Sequence, residues 1–211
     1  PDAAKAAHEA LVKSGVNFVA CLPDSAFQEL YLPLSADPKI TYVQVASEND
    51  GVGACMGAWL GGMTPALLVE NTGFTHGTYA LLRGPMAFGI PMLLLISHRG
   101  ELGDERWFSV PFGWSTKPLL DSMRITHRSV EKTAEVAGAI TSAAKSMNSM
   151  QAPVAILFAG EILFSLRRQA NPTGITDRPL ARRRLFRGPL GQQRVRSAAT
   201  LFFRGFGRRR T

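Results

Sequence analysis

Glu48 sits in the run Ser47-Glu48-Asn49-Asp50, four polar residues between an apolar stretch and a glycine-rich one. A lone carboxylate where a strand passes into a helix can exchange a proton with a bound ligand. It can equally be a solvated loop acid or the neighbour of a helix cap, with Ser47, Asn49 or Asp50 as the cap. The glycines that follow, in Gly51-Val52-Gly53-Ala54-Cys55-Met56-Gly57, suggest a dinucleotide turn. The third falls one position late for GxGxxG, so that chemistry is weakly supported. Gly53, Ala54, Gly57, Ala58 and Gly61 instead recur at spacings of three and four. Such a stripe admits another helix closely, either within the chain or across a subunit interface. Cys21 and Cys55 share no short metal-ligand spacing, which disfavours a disulfide scaffold and a cysteine–zinc site. His76 is a candidate to reach the same region, whereas His8 and His127 read as surface or structural residues.

Residues 1–165 alternate between helical and strand signals with short breaks, the pattern of βα repeats. Strands are expected near 17–21, 40–46, 66–69, 91–96, 124–127 and 154–158. Helices are expected over 2–13, from Phe27 to Leu34, over 51–61, through Leu81 and Met86, and over 131–147. A turn at Asn71-Thr72-Gly73 and a long loop from 97 to about 115 interrupt them, and a short helix near 119–123 follows that loop. The fold class is therefore α/β, an open and mainly parallel six-stranded sheet with helices on both faces. Ligands bind such sheets at the carboxyl ends of the strands. That directs attention to residues 23–25, 47–50, 70–76 and 97–101.

The 211 residues suffice for one α/β domain and a tail. The net charge of +8 is unevenly spread. Residues 1–165 carry 6 Lys, 5 Arg and 15 acids, a balance of −4, and residues 166–211 carry 13 Arg and one acid, a balance of +12. An Arg-rich tail can bind nucleic acid or an anionic membrane through its charge alone. This one, with LARRRLFRG and FFRGFGRRRT, has neither helical nor strand periodicity and no Lys. It reads as an irregular or non-native extension, such as a frame-shifted 3′ end, and nucleic acid and membrane are not expected partners. No apolar run approaches the ~20 residues that span a bilayer, no secretory signal is visible, and the expected compartment is the cytoplasm.

Four segments appear together and in order: LPDS at 22–25, ASENDGVGACMGAWLGG at 46–62, ENTGFTHG at 70–77 and PMLLLISHRGELG at 91–103. Over residues 1–165 they resemble the pyrimidine-binding domain of thiamine diphosphate-dependent decarboxylases. The likeness is greatest to sulfopyruvate decarboxylase α subunits and phosphonopyruvate decarboxylases. The resemblance implies that Glu48 hydrogen-bonds N1′ of the cofactor's aminopyrimidine and so promotes loss of the thiazolium C2 proton. The cofactor then takes up the electrons released with carbon dioxide from a small 2-oxo acid. Asn71, Thr72 and Gly73 match a turn beside the cofactor ring. Ser25 matches a substrate-contacting loop, or caps the helix after it. His98-Arg99-Gly100-Glu101 resembles a Trp-Arg-Gly-Glu loop in which Arg99 holds a sulfonate or phosphonate, although Arg99 can also form a surface pair with Glu101 or Asp104. The chain departs from the family's Leu-Gly-Asn at Phe74-Thr75-His76, which bears on substrate identity, and His76 joins Ser25 and Arg99 as a substrate-binding candidate.

The family's diphosphate–Mg2+ motif, Gly-Asp-Gly followed by paired asparagines, does not occur here. No metal ligands are expected in this chain. The resemblance implies a complementary diphosphate-binding β subunit or domain, in a homo- or hetero-oligomer. The leading expectation is the α subunit of a decarboxylase that converts 3-sulfopyruvate to sulfoacetaldehyde and CO2. Phosphonopyruvate or another 2-oxo acid is the nearest variant, and a non-catalytic assembly partner is the alternative of another class.

Overall fold

The computed structural model describes residues 3–102, 104, 106–160 and 162. All of them lie in one unit, Pro1–Gln169. The Arg-rich segment 166–211, with the readings attached to it, lies outside the described residues. Six strands, β1 (Phe18–Cys21), β2 (Thr41–Gln44), β3 (Pro65–Glu70), β4 (Leu93–Ser97), β5 (Thr126–Val130) and β6 (Val154–Phe158), form one sheet. Its order is β2-β1-β3-β4-β6-β5, and every pairing is parallel. The four inner strands are apolar and buried along almost their whole length, as parallel strands covered on both faces must be. The edge strands β2 and β5 are half exposed and more polar.

Alternate side chains of each inner strand feed two separate cores. Val19, Cys21, Ala66, Leu68, Leu93, Leu95, Ile156 and Phe158 face one helical layer. That layer is α1 (Ala3–Lys13), α2 (Gln28–Ala36) and α6 (Thr133–Met150). Alanines on α1 and α6 let these two helices pack closely. Phe18, Ala20, Leu67, Val69, Leu94, Ile96, Ala155 and Leu157 face the other. It consists of α3 (Glu48–Leu60), α4 (Asn71–Leu81) and α5 (Val110–Ser122). The open parallel sheet with helices on both faces expected from the sequence is the observed architecture. No described helix is long and apolar enough to cross a membrane.

Three departures matter for the site. The helix expected from Gly51 starts at Glu48, because Ser47 caps it by accepting a hydrogen bond from the Asp50 amide. The turn expected at residues 71–73 is the first turn of α4, which follows β3 with no intervening residue. The loop expected from 97 to about 115 is only half as long, since a short 3-10 turn (Trp107–Ser109) leads directly into α5. Pro111 lies in the first turn of α5, where a missing N–H leaves no hydrogen bond unmade.

Candidate active site at the carboxyl edge of the sheet

Glu48 opens α3 just beyond the end of β2, and its side chain is 13% exposed. The space it occupies is supplied by α4. Gly73 faces the carboxylate so closely that a β-carbon there would overlap Oε1, and one at Gly77 would stand 3.4 Å from the Glu48 Cβ. Two glycines one helical turn apart thus bring the start of α3 against α4. The other carboxylate oxygen, Oε2, lies 2.8 Å from Nδ1 of His76. His76 Nε2 lies 3.5 Å from Nδ2 of Asn49, and Asn49 Oδ1 is buried without a partner among the described residues. Glu48 is therefore not a loop acid, although it does neighbour the cap.

A second group sits where the strand order reverses between β1 and β3. The Ser97 hydroxyl donates to Asp24 Oδ2 at 2.6 Å. The backbone of Asp24 is held on both sides by the Tyr31 hydroxyl, which accepts from its N–H and donates to its carbonyl. Burial, with Asp24 nearby, pushes the Glu70 carboxyl above its ordinary range. Ser25 is half-buried and its hydroxyl bonds to no described residue. Ser25 does not cap the following helix: Asp24 and then Phe27 occupy the cap positions, neither with a side-chain bond.

Asn71 is fully buried. Its amide nitrogen donates to the Arg99 carbonyl at 2.8 Å and to Thr116 Oγ1 at 3.3 Å, and its oxygen accepts from the Arg99 N–H at 3.3 Å. That side chain fastens the exit of β4 to α4 and α5. Of the readings for Arg99, the structure has the pair with Asp104, and the pair is largely buried: the side chains are 14% and 11% exposed. Arg99 Nε and Nη2 donate to the two Asp104 oxygens at 2.9 and 3.0 Å. The Gly100 and Arg106 amides donate to the same carboxylate. These four bonds hold Asp104 well below the usual carboxylate range. His98, 2% exposed, meets Glu101 Oε1 at 3.1 Å through Nε2, while its Nδ1 has no partner among the described residues. Glu101 also receives Lys117 at 3.2 Å. Burial lowers the basicity of His98, against the opposing pull of Glu101.

The structure thus joins Glu48, Gly73 and His76 in one cluster, and Asn71 and Arg99 in another. Thr72 follows Asn71 in the first turn of α4, beside Glu70. Asp24, Asn49 and Ser97 also take part; all three lie in the strand-end segments 23–25, 47–50 and 97–101 to which the sequence directs attention, although none of them is a site candidate there. Cys55 is buried between α3 and the sheet, and burial pushes its thiol up to about 12, so it stays a protonated core group.

No family model matches the chain. A curated relative from Methanococcus maripaludis, named sulfopyruvate decarboxylase subunit alpha, is 35% identical over 156 residues, covering 74% of this chain and 93% of the relative. The chain belongs to the sulfopyruvate decarboxylase α-subunit family. A second member of the family, from Methanocaldococcus jannaschii, is 31% identical over 153 residues, 72% of this chain and 90% of the relative. Phosphonopyruvate decarboxylase of Streptomyces viridochromogenes is 30% identical over 91 residues, only 43% of this chain and 23% of its own length. Among solved structures, benzoylformate decarboxylase from Polynucleobacter necessarius superposes with a TM-score of 0.62 at 15% identity, over 81% of this chain and 31% of that one. At that identity the likeness speaks for the fold. The chain spans about a third of that enzyme, whereas it spans 93% and 90% of the two α-subunit relatives, both named as one subunit of an enzyme.

Proposed function

We propose that the chain is the α subunit of a thiamine diphosphate-dependent decarboxylase that converts 3-sulfopyruvate to sulfoacetaldehyde and CO2. The observation that carries this reading is the setting of Glu48. One oxygen is held by His76 and the other lies over the bare α-carbon of Gly73, in a cradle that any side chain at position 73 would fill. The carboxylate itself fills that cradle and is held almost out of water, a setting in which it can share a proton with an aminopyrimidine nitrogen. When bound, thiamine diphosphate supplies the electron sink for the bond that breaks. In the net reaction the bond between the carboxylate and carbonyl carbons breaks, CO2 leaves, and the carbonyl carbon takes a proton.

Glu48 holds the shared proton. Asn71, its side chain committed to Arg99 and Thr116, keeps the first turn of α4 with Thr72 and Gly73 in place beside the cofactor. Ser25 offers a free hydroxyl to the substrate carboxylate. Arg99, fixed by Asp104, supplies positive charge towards the sulfonate rather than an open fork. Mg2+ and the cofactor diphosphate are held by a complementary β subunit or domain. The outer face of α3 suits its docking: no described residue lies within 4 Å of a β-carbon built at Gly53 or Gly57, and Leu60 in the same helix is exposed.

The test is to assemble the chain with a diphosphate-binding subunit and supply thiamine diphosphate, Mg2+ and either 3-sulfopyruvate or phosphonopyruvate. Release of CO2 and sulfoacetaldehyde with preference for the sulfonate is expected. Preference for phosphonopyruvate would reassign the substrate. A stable complex that decarboxylates neither would make the chain an assembly partner that keeps the fold.

A further inference from the structure

We propose that His76 is a positioning residue for Glu48: its Nδ1–H holds Oε2, so that Oε1, above Gly73, is the oxygen left to meet a ligand. The inference rests on Glu48 as the acid–base group proposed above. Three observations support it. An ionised carboxylate only accepts, so the 2.8 Å contact places the ring proton on Nδ1. Nε2 then has a free lone pair, and the neighbour at 3.5 Å is the Asn49 amide nitrogen, a donor. Lastly, the Asn49 oxygen is buried without a partner among the described residues. A half-turn of that amide would offer Nε2–H an acceptor if the ring took a second proton. The bond from Nδ1–H to Glu48 is retained in either state, so the carboxylate stays oriented whatever the charge on the ring.

The geometry also says which replacement can stand in. Asn Nδ2 lies two bonds from Cβ, as His Nδ1 does, and it can donate to Oε2. Leu fills similar space and donates nothing. His76 is 59% exposed, so neither change threatens the fold.

Two readouts test the proposal. In the 15N-labelled full chain without cofactor, ring nitrogen shifts should report a His76 with its proton on Nδ1, and Glu48→Ala should move the proton to Nε2. In the assembled enzyme, His76→Leu should lower kcat by roughly ten- to a hundredfold with KM within about twofold, as expected for a misaligned reacting group, while His76→Asn stays within a few fold of wild type. A ring protonated on Nε2 in the wild type, or a His76→Leu enzyme with unchanged kcat, overturns the positioning role. Failure of the Glu48 reading would look different: the ring tautomer would still answer to Glu48, but Glu48→Gln would turn over normally.

Discussion

The α-carbon of Gly73 lies against Oε1 of Glu48, and no side chain fits between them. Residues 25 apart in sequence therefore pack as a single unit, in which the absence of atoms at one position makes room for the carboxylate of the other.

Gly73→Ala should displace the carboxylate and lower turnover by about a hundredfold, the usual result of moving a reacting group by an ångström. Gly77→Ala is the control. Its new methyl would sit at ordinary contact distance, 3.4 Å, from Glu48 Cβ, so activity should stay within a few fold. Steady-state assays of the two variants, with circular dichroism to confirm folding, separate the effects. Equal losses would show that Glu48 does not depend on this fit.

Glu48→Gln should retain cofactor affinity in the assembled enzyme, since the diphosphate anchor is proposed to lie on the other subunit. Turnover should fall by roughly two to four orders of magnitude, the range for one positioned acid–base group. The direct measurement is deuterium exchange at the cofactor's C2. Wild-type exchange in the variant would remove Glu48 from the chemistry.

Asp104→Asn should loosen the loop after β4, because an amide nitrogen cannot accept the bonds that the carboxylate takes from Arg99, Gly100 and Arg106. A loss of about 2 kcal/mol is expected for hydrogen bonds to a charged group. The folded-state pKa of Asp104 is depressed. Its contribution is therefore present above about pH 4, the unfolded value, and is lost as pH falls through the folded value. Urea midpoints at pH 7 and pH 3 should differ less in the variant than in the wild type.

His98 has the opposite dependence on charge. Its folded pKa is lowered by burial, so the unfolded chain binds the extra proton first. As pH drops below about 6.5, stability should decline until the folded-state value is passed. His98→Gln should flatten the urea midpoint between pH 7 and pH 5. An unchanged slope would mean that other groups set the acid response.

Gly57→Leu probes the docking face. With open space around the position, the variant should fold with a melting temperature within a few degrees of wild type. Its affinity for the complementary subunit should fall at least tenfold, measurable by calorimetry. Unimpaired assembly would place the partner elsewhere.

Much of this was legible in the chain. The inner strands announce themselves as short apolar runs bounded by Gly, Pro and polar residues, and parallel pairing follows from the helices between them. Glu48 was legible as a carboxylate at a strand-to-helix junction. That it lies inside the helix was not, because Ser-Glu-Asn-Asp reads as loop until Ser47 is seen to cap the Asp50 amide. The start of α5 was hidden by Pro111, Gly113 and Pro118, which punctuate a sequence even where the structure accommodates them. The pairing of Glu48 with His76 depends on how α3 and α4 pack, and no local pattern contains that. Arg99 and Asp104 are near enough in sequence to be matched, but only the packing of the loop reveals that the pair is buried.

Asn71 grips both the N–H and the carbonyl of Arg99 while also bonding Thr116. Beginning two residues before Gly73, it makes the loop after β4 and the floor beneath Glu48 mechanically one piece. Strain introduced at either end is passed through a single amide side chain to the other. A substitution at residues 99–104 that shifts the Arg99 backbone would therefore be felt at the first turn of α4, against which the Glu48 carboxylate packs. The segment around Ser25 is tied to the same strand end by a different bond, since the neighbouring Asp24 accepts from Ser97 at the end of β4.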